Sequence, residues 1–80
     1  MTFRPISEGA AHSIRRVIGR RIAAVMDARG VEREDMAKAL GISDLKLARI
    51  LKGSSEITGV ELVTVAERLN APLDYLTGRA

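Results

Sequence analysis

Nine residues, 44–52 (DLKLARILK), concentrate the groups with the clearest chemical use. The guanidinium of Arg49 can form paired hydrogen bonds with two adjacent acceptors, Lys46 and Lys52 act as point charges toward anions, and Asp44 can accept from an amino group. Such groups bind and discriminate a polar surface without making or breaking a bond. Bond-breaking chemistry has little to draw on, because the chain has one histidine, His12, and no cysteine. No acid, base and nucleophile are brought together by the expected helices, so an enzyme is not expected. His12 has no second histidine or cysteine to share a metal with, and it reads as a solvated residue at a helix start. Neither a metal nor a cofactor is expected.

The elements that must hold these groups lie within residues 33–52, REDMAKALGI SDLKLARILK. Met36, Ala37 and Leu40, and then Leu47, Ile50 and Leu51, have helical spacing on either side of Gly41. Gly41 can take the left-handed conformation that ends a helix, and Ser43 follows as an N-cap, so the connection is a sharp corner. Ala37 supplies the small residue that two helices need where they approach. On the second helix, Leu47, Ile50 and Leu51 share one face, and Leu45, Ala48, Arg49 and Lys52 share the other. A helix pair joined in this way is the helix-turn-helix, whose second helix can enter the major groove of DNA.

The segment resembles the phage repressor and Cro type of helix-turn-helix, a large family of bacterial and phage transcriptional regulators. The resemblance covers roughly residues 14–78. It rests on Ala37, Gly41, Ile42, Ser43, Leu47, Ile50 and Gly53 at family spacing, and continues through Leu62, Val65, Ala66, Leu69, Asn70, Leu73, Tyr75, Leu76 and Gly78. It implies an all-α fold, a compact five-helix domain over residues 13–80 with a flexible N-terminal arm over residues 1–12. Two positions depart from the family pattern. Arg33 stands where glutamine often fastens to the DNA backbone, which adds a charge to the same role. Met26 and Leu51 replace a partly buried Arg–Glu pair, and such a joint change to apolar residues removes a desolvation cost. Met26 is therefore expected to touch Leu51.

Eighty residues allow one domain, in which only about 60% of the unfolded chain's surface is buried. With 46% hydrophobic and 29% charged residues the chain is globular, and without cysteine it cannot be a disulfide scaffold or hold a thiolate metal site. No apolar run approaches the roughly 20 residues that span a bilayer, and the N-terminus lacks the apolar core of a signal peptide, so a cytoplasmic protein without a membrane partner is expected. The net charge of +3 is unevenly spread. Residues 1–30 carry six arginines against Glu8 and Asp27, a balance of +4; residues 31–53 carry five cations against four carboxylates, +1; residues 54–80 carry two against four, −2. The basic end includes the second helix of the corner, the polarity expected if that side meets phosphate, although a solvated basic surface would look the same.

Along the chain, Pro5 and Gly9 mark residues 1–12 as a flexible arm, with room for helix toward its end, whose only large apolar residues are Phe3 and Ile6. Residues 13–29 form helix 1, with Ile14, Val17, Ile18, Ile22, Val25 and Met26 at helical spacing and Gly30 as its stop. Arg15, Arg16 and Arg20 lie largely off that stripe and are available to phosphate, whereas the stem of Arg21 should pack and its guanidinium snorkel outward. Helix 2 spans residues 33–40, with Glu32 an indifferent N-cap. Thr58-Gly59-Val60-Glu61 is a capping box that starts helix 4, and Asn70 should end it. Pro72 suits the start of a short helix 5, in which Leu73 and Leu76 should close the core with Tyr75 half covered.

Base reading is assigned to Asp44, Leu45, Ala48 and Arg49. Arg49 suits guanine O6 and N7, a pairing that discriminates by about 1–3 kcal/mol; Leu45 suits a thymine methyl; Asp44 either accepts from a cytosine amino group or only stabilises the helix N-terminus. Backbone contacts are assigned to Arg33, Ser43, Lys46, Lys52, Ser54 and Ser55. The resemblance implies a homodimer on a palindromic double-stranded operator, with half-sites about 34 Å apart, and Val60, Val63 and Tyr75 are the candidate dimer residues. The leading expectation is a sequence-specific DNA-binding regulator, a repressor. The alternative is a protein-interaction module, such as an antitoxin holding a protein partner on the same scaffold. RNA binding is disfavoured because Phe3 and Tyr75 are the only stacking platforms and lie far apart in the chain.

Overall fold

The computed structural model describes residues 7–79, in which five helices and no strand occur: α1 (Glu8–Arg29), α2 (Arg33–Leu40), α3 (Asp44–Lys52), α4 (Gly59–Leu69) and α5 (Leu73–Leu76). Local signals set most of their ends. The Ser43 hydroxyl oxygen accepts from the Lys46 N–H at 3.1 Å and starts α3. Thr58 and Glu61 close a reciprocal capping box on α4: Thr58 Oγ1 accepts from the Glu61 N–H at 3.1 Å, and Glu61 Oε1 accepts from the Thr58 N–H at 2.8 Å. Asn70, the one non-glycine residue with positive φ among those described, ends α4 in the left-handed conformation. Glu32 makes no side-chain cap, as its type implies.

Helix α1 begins at Glu8, inside the stretch read from sequence as an arm over residues 1–12. The Ser7 hydroxyl oxygen accepts from the Ala10 N–H at 3.1 Å, and Glu8 adds a negative charge at the positive end of the dipole. Ser13 is not the start but an interior residue, whose hydroxyl donates to the Gly9 carbonyl at 3.1 Å. His12 is exposed within the helix rather than at its start. Phe3, Arg4, Pro5 and Ile6 lie outside the described residues.

The core is one cluster to which every helix contributes. Ile22, Val65, Leu69 and Leu76 have no exposed surface, and Met36 and Ala37 are buried from α2. Met26 is buried in this cluster and Leu51 packs against it, so the two apolar replacements belong to the same core. α1 packs most extensively on α3. Gly19 makes their close approach possible: a Cβ there would lie 2.6 Å from the Leu51 carbonyl oxygen. The sequence reading placed a small residue, Ala37, at the α2–α3 corner, and did not identify Gly19 at this second approach. Leu73 corrects another expectation, since it is 41% exposed while Ala71, just before the turn, is buried. Pro72 occupies the N-cap and α5 is only four residues long, so Leu76 faces the core and the first residue of the turn remains at the surface.

Arg21 does not snorkel freely. Its guanidinium lies 4.5 Å from the centre of the Tyr75 ring, and Nη1 donates to the Tyr75 carbonyl at 3.2 Å. The long α1 is thereby fastened to the short α5, and Tyr75 is half-buried as expected.

Candidate nucleic-acid interface

The corner between α2 and α3 is closed by Gly41 at φ 68°, and the Ile42 N–H returns to the Ala37 carbonyl at 3.0 Å. Only two residues, Ile42 and Ser43, separate this turn from α3. Leu47 and Ile50 are buried beneath α3, and α1 supports it from the same side. The opposite face is open. Leu45 is 61% exposed; Asp44, Lys46, Arg49 and Lys52 are exposed; Ala48 is half-buried between them and the body of the protein.

Leu45, Ala48 and Asp44 line one shallow concavity with Met26 and Asp27 at the end of α1 and with Arg33 at the start of α2. The fold therefore brings the predicted backbone anchor Arg33 beside three of the four predicted reading residues. Glu32 and Glu34 also line this concavity. Its carboxylates disfavour a phosphate at its floor, while they suit donors such as exposed amino groups on bases. Arg33 is thus a cation at an otherwise acidic margin.

None of Arg49, Lys46 and Lys52 has an ion-pair partner among the described residues. The Ser43 hydroxyl accepts from Lys46 and keeps its own proton to donate. Ser54 differs from its sequence assignment. Its N–H and its hydroxyl both donate to the Arg49 carbonyl, at 2.9 and 3.2 Å, closing the end of α3. Both donors that would have reached a phosphate are occupied. Ser55 is half-buried in the same loop.

The first half of α1 adds arginines that sequence reasoning treated together and the fold separates. Arg15 pairs with Glu8 at 2.9 Å and Glu56 at 3.6 Å, and its side chain is only 18% exposed. Arg16 and Arg20 are exposed and carry no ion pair among the described residues. Of the candidate dimer residues, Val60 is 79% exposed on the first turn of α4, Val63 is exposed one turn later, and Tyr75 lies half-buried against Arg21. Leu73 joins them as an exposed apolar residue that the sequence had placed inside.

A helix fixed from beneath, with hydrogen-bonding and charged groups on its free face and a tight turn before it, defines a DNA-binding helix-turn-helix. The sequence profile of the helix-turn-helix family matches residues 22–76, and the chain belongs to that family. It is a DNA-binding transcription regulator. The family match begins at Ile22, after Arg15, Arg16, Arg20 and Arg21 of α1. In fold the chain is similar to the restriction-modification controller protein C.AhdI from Aeromonas hydrophila, with a TM-score of 0.71 at 19% sequence identity, over 80% of this chain and 97% of that one. No curated protein matches the sequence. No helix among the described residues is long and apolar enough to cross a membrane.

Proposed function

We propose that the chain binds a specific double-stranded DNA operator as a homodimer in the cytoplasm and represses transcription by occupying that site. The observation that carries this reading is the open outer face of α3, on which Leu45 and Arg49 project while Leu47 and Ile50 hold the helix from below. Arg49 pairs with a guanine, Leu45 and Ala48 meet apolar base edges, and Asp44 accepts from a cytosine amino group or supports the helix start. Arg33, Ser43, Lys46, Lys52 and Ser55 fix the duplex through its phosphates. Ser54 acts indirectly, by holding the end of α3. The resemblance of the fold to a protein described as a controller supports regulation as the purpose.

A single module of this size buries too little surface to select a site unaided, which supports a two-fold dimer. Val60, Val63 and Tyr75 are the dimer surface in this reading. The exposure of Val60 also favours a second reading, in which another protein, as in an antitoxin complex, sits on α4.

Selection of bound sites from random duplexes tests the proposal. A palindrome with half-sites about 34 Å apart is expected. Arg49→Ala should lose about 1–3 kcal/mol of discrimination at one base pair of each half-site and keep its thermal midpoint. Unchanged discrimination would remove Arg49 from the reading face, and absence of a palindrome would remove the dimer.

A further inference from the structure

The sequence RRVIGRR over residues 15–21 presents two arginine doublets, and the fold separates each doublet into one occupied and one available cation. Arg15 is held by Glu8 and Glu56, and Arg21 lies on Tyr75. Arg16 and Arg20 are exposed, without ion pairs among the described residues. At 100° per residue, Arg16, Arg20 and Asp27 fall within about 40° of one another on α1. Gly19, which faces α3, lies next to this stripe, whereas Arg21 and Val17 turn the other way, toward Tyr75 and Gly78.

The two ends of the stripe are fixed by contacts. At one end Asp27 shares the concavity of Leu45 and Ala48. At the other, Arg16 abuts the turn that ends α3: a Cβ on Gly53 would lie 2.7 Å from the Arg16 Cα. The flank of α1 therefore borders the open face of α3 from its first turn to its last. Its charge changes along the way, from acidic beside Leu45 to basic beside Lys52. A duplex seated on α3 brings the wall of its groove, and so its phosphates, against the basic part. Arg16 and Arg20 are separated by about 6 Å along the axis, which lets them engage successive phosphates of one strand.

We propose that Arg16 and Arg20 form a phosphate clamp on α1, which works with Lys52 to hold one strand of the duplex while α3 reads the bases. The inference rests on the DNA-reading role of α3 given above. It assigns backbone contacts to a part of the chain that precedes the family match, and withholds them from Arg15, which the sequence pattern alone would include.

The test is the salt dependence of binding to a selected duplex, measured on the whole chain. Each phosphate neutralised contributes about 0.9 to the slope of log K against log salt concentration, so Arg16→Gln with Arg20→Gln, which removes two contacts from each subunit of the bound dimer, should reduce that slope by roughly 3.6. The affinity difference between the unaltered and doubly substituted proteins should then narrow on the order of 150-fold between 50 and 200 mM salt. Preference for the selected duplex over a scrambled one should persist, because phosphates carry no sequence. Glutamine keeps the Cγ that rests against Gly53, and circular dichroism checks the fold. Arg68→Gln removes one arginine charge per chain from the last turn of α4 and should leave the slope as it was. An unchanged slope in the double variant, or an equal change with Arg68→Gln, overturns the clamp while duplex selectivity stands. If the unaltered chain does not discriminate between duplexes, the reading of α3 fails first and the clamp fails with it.

Discussion

Gly19→Ala separates what the sequence implies from what the packing requires. In an exposed helix interior, alanine is better than glycine by about 1 kcal/mol, so residue type alone predicts stabilisation. The Cβ at this position would instead lie 2.6 Å from the Leu51 carbonyl oxygen and 2.8 Å from its carbonyl carbon, where ordinary contact begins at 3.4 Å. Both obstacles are backbone, so no side chain can rotate away, and α1 and α3 must separate by nearly 1 Å. Forcing a methyl into a packed contact costs about 1–3 kcal/mol. Backbone on the opposing side puts this case at the upper end, leaving a net loss of about 2 kcal/mol after the propensity gain. In a domain of this size the thermal midpoint should fall by roughly 8–16 °C. Gly9→Ala is the internal control: it lies in the same helix with nothing within 4 Å of the new Cβ, and should stabilise by up to about 1 kcal/mol. Thermal and urea unfolding of both variants give the comparison. A Gly19→Ala protein as stable as the parent would refute the claim that this contact sets the spacing of α1 and α3.

Two further substitutions probe the remaining supports. Arg21→Ala removes the stacking on Tyr75 and the bond to its carbonyl, and should cost about 1–2 kcal/mol in urea unfolding; Arg21→Lys should fall between, since an ammonium cannot lie flat on the ring while donating in the same way. Thr58→Ala breaks the capping box of α4 and should cost about 1 kcal/mol, whereas Thr58→Ser should cost little; equal losses for alanine and serine would show that the hydroxyl is not what matters.

The signals read successfully from sequence are those whose partners lie within one turn. Ser43, Thr58 with Glu61, Gly41 and Asn70 act on backbone groups three to five residues away, so their types and spacing are sufficient. The start of α1 was misplaced because Gly9 and Pro5 resemble breakers. A glycine in the first turn costs only about 1 kcal/mol, and Ser7 with Glu8 caps the helix before it. What could not be read depends on distant partners. The helical stripe sets Arg21 apart from Arg20, but the Tyr75 carbonyl that receives it is 54 residues along the chain, and nothing local distinguishes Arg15 from Arg16. The same holds for Ser54: a polar loop residue next to a reading helix suggests a phosphate donor, yet the nearby Arg49 carbonyl needs a partner once α3 ends, and Ser54 supplies it. The open face of α3 was readable because burial on a helix follows period alone, and Leu47 with Ile50 left only one side available.

The distribution of paired and unpaired cations then separates folding from binding. Arg15 and Arg21 join α1 to distant segments, and Lys38 pairs with Glu34 within α2. Arg49, Lys46 and Lys52 have no ion-pair partner among the described residues. Three close cations repel one another, so their presence does nothing for the stability of the isolated chain. A duplex brings the missing anions, and the counterions displaced from it supply the salt-dependent part of the affinity. The core residues beneath α3 should therefore govern unfolding, and the groups above it should govern binding. Each set is then free to change with little effect on the other, except where Gly19 and Gly53 let the backbones of α1 and α3 meet and fix how the reading face is presented.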